Sequence, residues 1–175
     1  MRYQQGDRGA FRSLVRRHGV SVYNFMLRQL GSALVADEVA QRVFLAVVSD
    51  PGAFGREGGF RARLFQVAMS LCRKQRTTAA RAGRSASDAL DGAQAEADAI
   101  RAAVDSLDVL QKDVFLLREV AKLGFDEIGL VLGQGPLTVK IAMHQALRRL
   151  QEQVQDLEMF RQAVFQQDRL QSSTR

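Results

Sequence analysis

The 175-residue sequence predicts an all-α protein of two small helical domains joined by a flexible tether, the C-terminal one containing a helix-turn-helix. Three observations lead there. Apolar residues recur at three- and four-residue steps over long stretches, and no sustained apolar/polar alternation of a strand occurs. Only two prolines are present, Pro51 and Pro136, and each stands beside a glycine, where a helix breaks. Charge, finally, is divided along the chain: residues 56–84 hold eight Lys/Arg and one acid, and residues 85–108 hold six acids and one base. The junction, "AGRSASDALDGAQAEAD", has little to bury and suits a tether. The expected division is 1–84, an acidic linker over 85–97, and 98–175.

Composition narrows the function classes. With 46% hydrophobic and 25% charged residues the chain has enough to bury for a folded core. A net charge of +6 favours an acidic partner such as nucleic acid or a membrane surface. The single cysteine, Cys72, excludes an internal disulfide framework and fits a reducing compartment. The N-terminus lacks the apolar core of a signal peptide, and no uncharged apolar run reaches about 18 residues. The expectation is a soluble, cytoplasmic protein with no membrane insertion.

Catalysis is not expected. His18 and His144 lie far apart in sequence with no Cys or His at metal-ligand spacing, so neither a metal nor a cofactor is expected. Cys72 sits by an apolar stripe and reads as a small core residue. Glycine-rich phosphate loops of the nucleotide-binding kinds are missing.

The elements follow in order. Phe11, Leu14, Val15, Tyr23, Met26, Leu27 and Leu30 form one stripe interrupted at Gly19, which predicts two helices or a kinked one, with Asp7 as N-cap and Gly31 as stop. The next helix, "VADEVAQRVFLAVVS", stacks Val39, Val43 and Val47 on one line and Ala36, Ala40, Phe44 and Val48 on another, and Asp50-Pro51-Gly52 ends it. A third helix turns Phe60, Leu64, Val67 and Leu71 inward and Arg61, Arg63, Arg73, Lys74 and Arg76 elsewhere. A basic face is commonly just solvated. Isolated surface helices usually mix signs, however, and this one does not, which points to nucleic acid.

In the second half, "EIGLVLGQGPLTVKIAMHQALRRL" has a short helix ending at Gly133, a Gly-Gln-Gly-Pro turn, and a second helix from about Pro136 to Arg149. In DNA readers that second helix enters the major groove. Here its front is apolar: Leu137, Val139, Ile141, Ala142 and Met143 serve either as core or as a reading surface. Beyond Leu150, Val154, Leu157, Phe160 or Arg161, and Val164 prolong the stripe, as a longer last helix or as a partner-binding one.

At this point the motifs resemble a family. Gly6-Asp7, Ala10-Phe11-Arg12-Ser13-Leu14 and the acidic Asp37-Glu38 leading into Gln41 and Phe44 are similar to the first conserved domain of bacterial extracytoplasmic-function (ECF) sigma factors of RNA polymerase. "LQKDVFLLREVAKLGFDEIGLVLGQGPLTVK" is similar to their second, and the ordered set covers the chain to about residue 152. The resemblance implies a sigma factor that directs core RNA polymerase to specific promoters and promotes strand opening. By analogy Asp37, Glu38, Gln41, Arg42 and Phe44 would dock on the polymerase clamp helices. Arg56, Arg61, Arg63, Ser70, Arg73, Lys74 and Arg76 would hold the proximal promoter element, where positive charge meets phosphate and an unstacked base needs a pocket. Thr138, Lys140, Ile141, His144, Gln145 and Arg148 would touch the distal element. An anti-sigma factor is the implied inhibitory partner, and the acidic stretch from Asp88 to Asp98 is placed for an inhibitory self-contact with the basic helix.

The departures matter as much. The family usually has Trp or another aromatic where Arg63 stands, and Asn in the stretch that here reads Ala68-Met69-Ser70-Leu71. After Thr138-Val139-Lys140 its usual Ser-Arg and a further Arg are replaced by Ile141, Ala142 and Gln145. An arginine bidentate to guanine contributes about 1–3 kcal/mol of discrimination. Gln145 on adenine, Ile141 or Ala142 on a thymine methyl, and His144 on phosphate offer compensation, whereas Arg148 and Arg149 lie a turn later, nearer backbone. A sigma-like regulator with weakened promoter reading is therefore the alternative.

Overall fold

The structure, a computed structural model, describes residues 8–54, 59–81 and 95–172. All its regular elements are helices: α1 (Arg8–Leu30), α2 (Ala33–Ser49), a 3-10 turn (Pro51–Phe54), α3 (Gly59–Arg81), α4 (Ala95–Asp105), α5 (Val109–Glu119), α6 (Phe125–Leu132) and α7 (Pro136–Ser172).

Helix α1 runs unbroken through Gly19, against the expected interruption. A lone glycine costs a helix about 1 kcal/mol relative to Ala, less than is gained by burying Val22, Phe25 and Met26 completely on the same helix. Gly31 ends it in the left-handed conformation, φ 73°, with its N–H donating to the Leu27 carbonyl. Asp7, the expected N-cap, lies outside the described residues. Helix α2 starts two residues earlier than its apolar pattern implied, because Ser32 caps it by accepting the Val35 N–H at 3.4 Å. Ala36, Val39, Ala40, Val43 and Val47 are its buried line. Val48 is exposed, and Phe44 is only half-buried.

The register of α3 is rotated from the expected one. Ala62, Leu64, Phe65, Ala68, Met69 and Cys72 are the buried set, while Phe60, Val67 and Leu71 pack at its margin. The Phe65 ring stands edge-on to Phe25, centroids 5.5 Å apart, and the Cys72 sulfur lies 3.2 Å from that of Met26. Helices α1, α2 and α3 thus close a bundle.

In the second half α5, α6 and the front of α7 bury Val114, Leu117, Leu123, Ile128, Val139 and Met143. Helix α4, beside α7, begins inside the stretch read as linker. Glu127 fastens the start of α6 by accepting the Gly124 N–H at 2.8 Å. Gly133 ends α6 at φ 67°, and the Gln134 N–H returns to the Gly129 carbonyl. α7 does not stop near Arg149; it continues to Ser172, the longer last helix that the prolonged stripe allowed. The side chains of that tail stripe, from Val154 on, lie outside the described residues.

The buried residues of the two halves form one cluster from Val22 to Met143, with α3 against α6 and α1 touching α5.

A Cβ at Gly129 would lie 2.8 Å from the Gln134 carbonyl oxygen, which is backbone and cannot step aside. Gly129→Ala is expected to lower stability by about 1–3 kcal/mol, read as a fall of several degrees in Tm. An unchanged Tm would mean that the turn relaxes freely. Cys72 is wholly buried, and that burial pushes its thiol up to about 12, with Asp113 adding to the shift and Arg76 opposing it. Iodoacetamide should therefore leave the folded protein unmodified and label it only on unfolding.

Candidate nucleic-acid interface

Three surfaces hold the residues singled out in the sequence. On α3 the basic side chains divide into two groups. Arg63, Ser70 and Lys74, spaced by seven and four residues, share one exposed line opposite the buried face. Arg61, Arg73 and Arg76 reach the other half of the protein. Arg61 donates to the carbonyls of Ala121 at 3.0 Å and Lys122 at 2.6 Å, in the turn where Lys122 adopts φ 55°, and lies 3.9 Å from Glu127. Arg73 and Arg76 lie 3.8 and 3.9 Å from the Asp113 carboxylate. Gln66, oriented by Arg63 at 3.1 Å, donates to the Leu130 carbonyl at 2.7 Å.

Asp113 is 1% exposed on α5 and accepts the Gln29 amide of α1 at 2.8 Å. A buried carboxylate needs such partners, since desolvating its charge unaided is costly. Among the described residues the acids that meet the basic helix are Asp113 on α5 and Glu127 on α6. Most of the stretch from Asp88 to Asp98, expected in that role, lies outside the described residues, as does Arg56.

The second surface is the outer face of α2. Leu34, Asp37, Glu38, Gln41, Leu45 and Val48 share a line opposite the buried valines, and Gln41 donates to Asp37 at 2.9 Å. Arg42 is exposed on its flank. Phe44, partly buried, packs against the core at the edge of this line. Leu34 and Leu45, 82% and 61% exposed, were missed. Their signal was present: they fall half a turn away from Val39, Val43 and Val47.

The third surface is the front of α7. Val139, Ala142 and Met143 are buried, so Ala142 is not available to a thymine methyl. Leu137, Thr138, Lys140, Ile141, His144, Gln145 and Arg148 face outward together. Gln145 accepts from Gln111 at 3.3 Å, Arg148 lies 3.6 Å from Glu152, and Arg149 pairs with Asp108 at 3.1 Å. Arg118, in the Leu-Leu-Arg-Glu run, binds the Leu123 carbonyl at 2.9 Å and covers the Phe125 ring, a structural task.

His18, not singled out beforehand for a site, lies on Phe60 with ring centroids 5.3 Å apart. Burial first, then Arg61 and Arg17, hold its pKa below 6.5. Among the described residues no three His, Cys, Asp or Glu side chains cluster to hold a metal, and no helix is long and apolar enough to cross a membrane.

Known proteins agree with this geometry. The family described as "Sigma-70, region 4" matches residues 97–150, the span from α4 through the front of α7. The RNA polymerase sigma factor CarQ of Myxococcus xanthus is 28% identical over 170 residues, 90% of this chain and 97% of CarQ. The ECF sigma factor SigD of Mycobacterium tuberculosis is 29% identical over 167 residues, 85% of this chain and 79% of SigD. Among solved structures, CnrH in complex with the cytosolic domain of CnrY superimposes with a TM-score of 0.70 at 25% identity, covering 87% of this chain and 92% of that one. RpoE, solved with the anti-sigma factor NepR from Bartonella quintana, shares the fold at a TM-score of 0.69 and 17% identity, over 83% of this chain and 97% of that one. A helical protein whose helix-turn-helix lies within a sigma-70 region 4 match has the make-up of a transcription-initiation factor. The region 4 match and these named relatives support an RNA polymerase sigma factor of the ECF group.

Because the His18 pKa is lower in the folded protein, the unfolded chain binds more protons between that lowered value and 6.5. Stability contributed by neutral His18 is therefore complete above 6.5 and lost as pH falls through the window. His18→Gln should flatten that acid-side slope in denaturant unfolding measured from pH 7.5 to 5. An equal slope in both proteins would assign it elsewhere.

Proposed function

We propose that this sigma factor divides its work among the three surfaces, with residues 1–84 and 98–175 acting as separate functional domains on either side of a linker at 85–97. The α2 line of Leu34, Asp37, Glu38, Gln41, Leu45 and Val48 docks on the clamp helices of core polymerase. Apolar side chains supply the buried area, and the acids set orientation. Arg63, Ser70 and Lys74 take the proximal promoter strand, joined by Arg61, Arg73 and Arg76 once these leave the second half. Thr138, Lys140, Ile141, His144, Gln145 and Arg148 meet the distal element. Action is by binding alone, without catalysis, in the cytoplasm, and under the control of an anti-sigma factor.

The observation that carries this reading is the match over nearly the whole chain to named sigma factors, together with the outward line on α7. The exposed Leu137 and Ile141 on that line favour one further reading, polymerase binding with weakened promoter discrimination.

Core polymerase, this protein and a library of promoter fragments separate the two. Specific initiation from a restricted set is expected, while polymerase binding with no enriched sequence supports the further reading. Leu45→Glu removes an interface leucine worth about 1.5–3 kcal/mol, so core affinity should fall roughly 10- to 100-fold with the fold intact by circular dichroism. Unchanged affinity would remove α2 from the docking surface.

A further inference from the structure

Helix α1 has five arginines and no acid in 23 residues. Arg12, Arg16 and Arg17 are exposed and have no ion pair among the described residues. Arg61, Arg73, Arg76, Lys112, Lys122, Arg148 and Arg149 each lie within 4 Å of a carboxylate, whereas Arg28, Arg42, Arg63, Lys74 and Lys140 share the unpaired state of these three but do not crowd together as they do. Arg12 and Arg16 sit four residues apart, where like charges repel and cost a helix a few tenths of a kcal/mol. Arg17 adds a third charge to the same turn. The cluster therefore gains no ion pair within the fold and is open to an anion from outside.

Its position says which anion. His18 follows Arg17, lies on Phe60 at the start of α3, and feels the charges of both Arg17 and Arg61. Positive charge therefore continues from the α1 cluster onto the first turn of the basic helix. Ser21, one turn further along α1, hydrogen-bonds the Val120 carbonyl beside the turn that Arg61 grips.

We propose that Arg12, Arg16 and Arg17 form a second phosphate-binding surface, which takes the sugar-phosphate backbone of the promoter strand where it continues past the start of α3. The proposal rests on the reading of α3 as the strand-binding helix and extends the contact onto an element outside the candidate set. These arginines supply affinity without sequence preference, because phosphate contacts carry no base information.

The test uses the full chain with core polymerase and a single-stranded promoter oligonucleotide, comparing the wild type with R12Q/R16Q/R17Q and, separately, R63Q/K74Q. Each single-strand phosphate contact contributes about 0.7 to the slope of log K against log salt, so the triple variant should lose about 2 units of slope. Its loss should fall equally on all oligonucleotide sequences, with Tm unchanged or raised. Wild-type slope in the triple variant overturns the proposal. So does loss of binding to vesicles of an anionic phospholipid with DNA binding intact, which would make the cluster a membrane contact. Failure of the wild type itself to bind the oligonucleotide with core, or an unaltered slope in R63Q/K74Q alone, would instead fault the reading of α3.

Discussion

The arrangement of this protein depends on a carboxylate taken out of water. Asp113 is almost wholly buried on α5, and the groups that compensate it come from the other half of the chain: the Gln29 amide directly, and the Arg73 and Arg76 guanidinium groups just beyond hydrogen-bonding distance. None of the three is close in sequence. The contact therefore forms only when α1 and α3 lie against α5, and it fixes the two halves in one relative position. Arg61 and Gln66 repeat the logic further along α3, where side chains of the first half satisfy carbonyls of the second. These charge and amide contacts, which solvent and counterions can replace, lie beside the apolar cluster that runs across both halves.

The same helix thus has two occupations. Its buried face holds the first bundle together through Phe65, Met69 and Cys72, and its arginines hold the second half. What is left facing solvent is Arg63, Ser70 and Lys74. The unpaired charge of α3 is for that reason smaller than its composition implies, and the α1 arginines hold a larger share of what remains free.

Much of this was legible in the sequence, and the failures have physical causes. Helical periodicity located α2, α3 and α6 because their buried lines are regular. The Gly133 stop and Pro136 start of the turn were readable because each residue type has one strong backbone preference. Gly19 misled, since local propensity is a small term beside complete burial of Val22 and Phe25. The α3 register was misplaced because Phe60, Leu64, Val67 and Leu71 also make an acceptable stripe; only the partners of Phe65 and Met69 decide between the two. Arg61, Arg73 and Arg76 carried no local sign of their destination, because their partners lie between 37 and 66 residues away in sequence. On α7, apolar character alone could not separate the buried Val139 and Met143 from the exposed Leu137 and Ile141.

α7 is a single helix of 37 residues, about 55 Å from end to end at 1.5 Å per residue. A continuous helix resists twisting, so a turn applied at its far end is passed to its first three turns. Any body that takes hold of the distal turns therefore sets the direction in which the exposed Lys140 and Arg148 point, acting as a hand does on a key.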